Sequence, residues 1–207
     1  MVLGRRLSSL TAERPSTLKE LGLGALQIWQ AVGEAQGRGK GTEDLALVFT
    51  DLVGFSDWAL ESGDSLALDL LRKVGEAVEP CFQSHGGTVV KRLGDGIMAT
   101  FDDASAAVTA ACEATSAVNE LEVANHKPQM RAGVHYGTPR RLGGDFFGVD
   151  VNVAARIAAA AGANEVLVSD AVRKQLVDEL VDVRRKWRFN AKGAPKDLKV
   201  YIAEPAK

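Results

Sequence analysis

A chain of 207 residues, 46% hydrophobic and 25% charged, has the composition of an ordinary globular protein and is long enough to bury one sizeable core. Its formal net charge of −2 offers no broad field for nucleic acid or an anionic membrane, so any anion it binds must be held locally. No run of residues approaches the roughly 20 apolar positions of a membrane span. The two cysteines, Cys81 and Cys112, have no partner at metal-ligand spacing and are expected to be inert thiols of a cytoplasmic protein.

In chain order, the first signal is an amphipathic helix over 17–35. Leu18, Leu21, Ala25, Ile28, Trp29 and Val32 recur at helical spacing, and Thr17 with Glu20 forms a capping box. The stretch GEAQGRGKG at 33–41 reads as a flexible linker, so residues 1–41 are expected to stand apart from a main domain at 42–207. A buried strand follows at 45–50 and ends on Thr50-Asp51, after which Gly54 permits a bend into a helix near Ser56. A helix spans 64–84. Strands at 88–92 and 97–101 pair across a Gly94-Asp95-Gly96 turn. A helix at 104–121, a strand at 130–136, a glycine-rich loop, a helix at 149–161, a strand at 165–169, a helix at 170–180 and two closing strands complete the chain. Stripped of additions, the order is βαββαβ with a central hairpin. That predicts an α+β, ferredoxin-like core with additional strands and helices and argues against a doubly wound sheet.

Two aspartates, Asp51 and Asp95, terminate apolar strand-like runs where a carboxylate has no packing role. Singly, each reads as a turn or capping residue. Jointly they are two hard oxygen ligands at strand ends, which suits a Mg²⁺ or Mn²⁺ site handling phosphates. Further along, Asn152 and Arg156 lie four apart on one helical face among small apolar residues. There the planar guanidinium fork suits a phosphate.

The motifs FTDLVGFS (49–56), VVKRLGDGIMATF (89–101), RAGVHYG (131–137), GDFFGVDVNVAARI (144–157) and KGAPKDLKVY (192–201) occur in this order. Through them the chain resembles the catalytic domain of a class III nucleotidyl cyclase, most nearly the bacterial adenylate cyclases of that class. The resemblance implies that Asp51 and Asp95, with the backbone carbonyl of Leu52, hold two divalent cations. It implies that Lys91 and Asp145 read adenine, that Asn152 orients the ribose, that Arg156 stabilises the transition state and that Lys192 binds the terminal phosphates. It also implies a head-to-tail homodimer with composite sites acting on ATP. The base assignment has its own chemistry: an ammonium and a carboxylate match the acceptor N1 and donor N6 of adenine, and guanine reverses that pattern. A guanylate cyclase and a catalytically weak nucleotide-binding module are the rival readings.

Overall fold

The computed structural model of the chain describes residues 43–177, 181–187, 189, 195 and 197–206. The helix and linker expected over 1–41, and Lys192, lie outside the described residues. Strands β1 (Leu45–Leu52), β2 (Thr88–Leu93), β3 (Gly96–Phe101), β4 (Met130–Gly137), β7 (Val166–Ser169), β8 (Val181–Arg185) and β9 (Val200–Pro205) form one sheet in the order β2-β3-β1-β4-β7-β9-β8. Strands β5 (Arg140–Leu142) and β6 (Asp145–Phe147) form a separate hairpin. Helices α1 (Phe55–Ser62) and α2 (Asp64–Ser84) connect β1 to β2, and α3 (Ala104–Asn119) connects β3 to β4. Helix α4 (Val149–Ala159) follows the hairpin, and the single turn α5 (Asp170–Arg173) follows β7.

The four-stranded half β2-β3-β1-β4 is antiparallel throughout and carries the βαββαβ order, as the sequence predicts. Alternation divides its side chains. Ala46, Val48 and Leu52 of β1 pack with Leu70, Val74, Val78 and Phe82 of α2 and with the alanine-rich face of α3. Leu45, Leu47 and Phe49 point the other way and pack with Met98, Phe146 and the Val151, Ala154, Ala155 and Ala158 face of α4. A strand covered on both faces is buried along its length, which is why residues 45–50 form an unbroken apolar run ending in threonine. Cys112 is buried, and burial pushes its thiol up to about 12, as expected of an inert cysteine.

Two elements differ from expectation. The loop after β4 contains the β5–β6 hairpin, turned by Gly143 and Gly144 at φ of 59° and 85°, the left-handed values a tight hairpin needs. The helix expected over 170–180 stops at Arg173, because Gln175 N–H turns back to Val172 O and Val177 N–H is taken by Ser105 Oγ. Among the described residues, no helix is long and apolar enough to cross a membrane.

Candidate functional site

Asp51 lies in the last turn of register between β1 and β4, directly opposite Arg131. Asp95 follows Gly94 (φ 67°) in the two-residue turn joining β2 to β3, where Leu93 and Gly96 close the ladder. That turn rests on the end of β1: Thr50 Oγ1 accepts from Ile97 N at 3.0 Å, and Leu52 N–H donates to Asp95 Oδ2 at 3.3 Å. Gly96 permits the approach, since a Cβ there would fall 2.4 Å from the Thr50 carbonyl oxygen. Val53 N–H bonds Gln129 O, so by strand alternation the N–H and C=O of Leu52 both face the β2–β3 turn.

The two carboxylates therefore share one corner. Partial burial, then the charge of Asp51, pushes the Asp95 carboxyl up to about 6. Such a close, partly desolvated pair of carboxylates fits a divalent cation. Among the described residues no group of three or more His, Cys, Asp or Glu side chains could hold a metal. The corner offers two carboxylates and the Leu52 carbonyl, all hard oxygens of the kind a divalent cation takes.

A stability prediction follows from this corner. Because the folded state keeps the Asp95 proton up to about pH 6 while an unfolded aspartate loses it near pH 3.9, the cation-free fold loses stability as pH rises through that window. Asp95→Asn is expected to raise the melting temperature of cation-free protein by a few degrees at pH 7 and to leave it unchanged below pH 4. Thermal melts in chelator at both pH values check this, and an equal shift at both would contradict it.

Arg131, for which the sequence suggested no role, is the third member of the corner. Its Nε donates to Asp51 Oδ2 at 2.8 Å, and its Nη2 donates to the same oxygen. Its Nη1 reaches the carbonyls of Ala159 and Ala161 at 3.0 and 3.4 Å, at the C-terminal end of α4. The signal in the sequence is a charged residue opening an apolar strand, but its partner is visible only once the β1–β4 register is known.

Lys91 and Asp145 form an ion pair, Nζ to Oδ2 at 2.5 Å, both largely covered. A bulge between Val89 and Lys91 makes this possible. It leaves Val89 opposite Ala99 and sets Lys91 opposite Met98, whose side chain lies on the α4 face of the sheet, where the β5–β6 hairpin carries Asp145. Asp145 Oδ1 accepts from Phe146 N at 2.8 Å, which fixes the carboxylate's orientation. On α4, Asn152 and Arg156 are half-buried one turn apart, between the buried Val151, Val153, Ala155 and Ile157. Arg140 and Arg141 are exposed on β5, with the Arg141 guanidinium 5.8 Å from the Phe146 ring centre. A cavity of about 440 Å³ lined by His135, Ser169, Asp170 and Leu198 lies at the opposite end of β4 from Arg131 and Asp51, away from the two aspartates.

Residues 38–205 match the family model described as the adenylate and guanylate cyclase catalytic domain. The chain belongs to this family. Among curated relatives, an adenylate cyclase of Streptomyces coelicolor is 32% identical over 133 residues, covering 64% of this chain and 34% of that protein. A pH-sensitive adenylate cyclase of Mycobacterium tuberculosis is 30% identical over 150 residues, covering 72% of this chain and 36% of that protein. The chain thus spans about a third of the length of these two relatives. Among solved structures, an adenylate/guanylate cyclase/hydrolase from Silicibacter pomeroyi superposes with a TM-score of 0.65 at 29% identity, covering 79% of this chain and 97% of that one. The cyclase fold is therefore shown for the sheet and its helices.

Proposed function

We propose that this cyclase domain is an adenylate cyclase, converting ATP to 3′,5′-cyclic AMP and pyrophosphate at composite sites of a head-to-tail homodimer. The observation that carries the substrate assignment is the Lys91–Asp145 pair. A donor and an acceptor held at 2.5 Å on neighbouring elements complement the N1 and N6 edge of adenine. Guanine would place an acceptor against Asp145 and a donor against Lys91, at a cost of about 1 to 3 kcal/mol per mismatched group.

Asp51, Asp95 and the Leu52 carbonyl would hold two divalent cations, Mg²⁺ or Mn²⁺. When bound, such ions lower the pKa of the ribose 3′-hydroxyl and neutralise charge on the leaving pyrophosphate. Asn152 orients the ribose so that its 3′-oxygen stands in line with the α-phosphorus. Arg156 donates to the equatorial oxygens as charge builds there, and Lys192 binds the terminal phosphates. The 3′-oxygen–phosphorus bond forms as the bond from the α-phosphorus to the bridging oxygen breaks; that oxygen leaves with pyrophosphate, and the hydroxyl proton passes to solvent. Positioning and charge stabilisation suffice, so no nucleophilic side chain is required.

The functional residues divide by element, with the aspartates on β1 and the β2–β3 turn and Asn152 and Arg156 on α4. This division supports two half-sites per chain. Leu142 and Val149, apolar yet 54% and 71% exposed beside the hairpin and α4, fit a face covered by a second copy.

Cyclic nucleotide formation from ATP and GTP with Mn²⁺ tests the reading. ATP is expected to be preferred, and Lys91→Glu is expected to lower the ATP-to-GTP ratio of kcat/KM by about 10- to 100-fold, from one or two mismatched hydrogen bonds. Faster turnover of GTP by the unaltered chain would assign a guanylate cyclase, and turnover of neither a nucleotide-binding module. Specific activity should fall on dilution through dimer dissociation, and a flat profile would exclude composite sites.

A further inference from the structure

Residues 131, 133, 135 and 137 of β4 face the side of the sheet that α4 covers, and each meets that helix differently. Arg131 bonds carbonyls at its C-terminal end, and Gly133 lets the backbone at Ile157 and Ala158 sit directly on the strand. The N-terminal turn is held through Asp150. His135 Nε2 stands 3.2 Å from Asp150 Oδ1, and Thr138 N–H donates to Oδ2 at 3.0 Å. Gly137 leaves room for the carboxyl, since a Cβ would fall 2.4 Å from its carbon. On its other side, His135 Nδ1 is 2.8 Å from Ser169 Oγ, which accepts from Val172 N–H at 3.3 Å.

This row has a direction. A carboxylate only accepts, so Nε2 donates to Asp150, and when Nε2 alone carries the ring proton Nδ1 accepts from the Ser169 hydroxyl. Every bond then runs the same way, from the head of α5 through Ser169 and His135 to Asp150. His135 and Ser169 are buried at 8% and 0% exposure, where such a chain is strengthened by the low local dielectric.

We infer that His135 is a positioning residue for the cyclase reaction: by holding Asp150 in the first turn of α4, it sets the rotation at which that helix presents Asn152 and Arg156. The inference rests on the reading of those two side chains as ribose- and transition-state-binding groups. Asp150 lies on the helix face turned to β4, whereas Asn152 and Arg156, about 200° and 240° further round the helix, emerge half-buried on its far side, so a rotation of α4 about its axis displaces all three together. A displacement of about 1 Å at the reacting centre costs on the order of a hundredfold in rate.

Two substitutions separate positioning from packing. His135→Gln keeps a donor at the reach of Nε2 and retains the bond to Asp150. His135→Asn ends near the position of Nδ1, retains the Ser169 side and loses Asp150. With the full chain, His135→Asn is expected to lower kcat about 30- to 100-fold with KM for ATP little changed, and His135→Gln to restore kcat to within about threefold of the unaltered enzyme. In an Asn152→Ala/Arg156→Ala background, His135→Asn is expected to add less than about a twofold loss, because it acts through those two side chains. Equal losses for Gln and Asn, or the full loss again without Asn152 and Arg156, would overturn the inference while leaving the site reading intact. Full activity of Arg156→Ala alone would overturn the site reading, and the inference with it. Should His135→Asn not fold, Asp150→Asn, which replaces one acceptor oxygen by a donor, carries the same expectations.

Discussion

An equal mixture of chains carrying Asp51→Ala and Arg156→Ala is expected to recover about a quarter of the unaltered rate, although each chain alone is nearly inactive. Losing a cation ligand or the transition-state guanidinium removes several kcal/mol of charge stabilisation, and each 1.36 kcal/mol is tenfold in rate, so each single variant should fall by about a thousandfold. In a two-fold symmetric pair with composite sites, each variant homodimer is damaged in both sites. A heterodimer has one site damaged twice and one site intact. Random exchange makes about half the dimers mixed, with one working site of two in each, which gives the quarter. Recovery should grow slowly after mixing if subunit exchange limits it. A mixture no more active than its components would show that Asp51 and Arg156 serve the same site within one chain, and the head-to-tail arrangement would be discarded.

The fold was legible where periodicity and punctuation agreed. The unbroken apolar run at 45–50, the helix at 64–84 and the hairpin at 88–101 follow from burial on two faces, helical spacing and an Asp-Gly turn, all local properties. The β5–β6 hairpin was missed because strands of three residues carry too little pattern to separate from a glycine-rich loop. The residues of the candidate site were legible as chemical types in odd places: carboxylates ending apolar strands, and an arginine and an amide on an alanine-rich helix. Their partners were not. Arg131 opposite Asp51, and His135 between Ser169 and Asp150, depend on strand register and on how α4 lies across β4, which separate residues by 15 to 80 positions along the chain. The bulge that aims Lys91 at Asp145 is likewise invisible in sequence, because Val90 fits a strand whether or not it is bulged.

Gly133→Ala is expected to be the most damaging single-methyl change outside the polar residues. The added Cβ would fall 2.2 Å from Ala158 N, 2.6 Å from its Cα and 2.8 Å from the carbonyl carbon of Ile157. These atoms are helix backbone, so no rotamer relieves the clash, and α4 must lift from β4. Lifting opens the packing of Leu47 and Phe49 against Ala154, Ala155 and Ala158 and pulls the Ala159 carbonyl from Arg131. Overpacking of this severity costs about 3 kcal/mol or more, which for a chain of this length lowers the melting temperature by about 6 to 12 °C. The rate should fall further than stability alone requires, because Asn152 and Arg156 move with the helix. Gly137→Ala is the contrasting change: its new Cβ meets the Asp150 carboxyl group, 2.4 Å from the carbon. A side chain can turn aside where backbone cannot, so Gly137→Ala should melt closer to the unaltered protein yet still lose kcat, as Asp150 leaves His135. Thermal melts and steady-state kinetics on both variants check the pair. If Gly133→Ala melts within about 2 °C of the unaltered chain, a shift worth under 1 kcal/mol, then α4 is not seated on β4 by backbone contact, and the account of how its polar residues are placed would have to be abandoned.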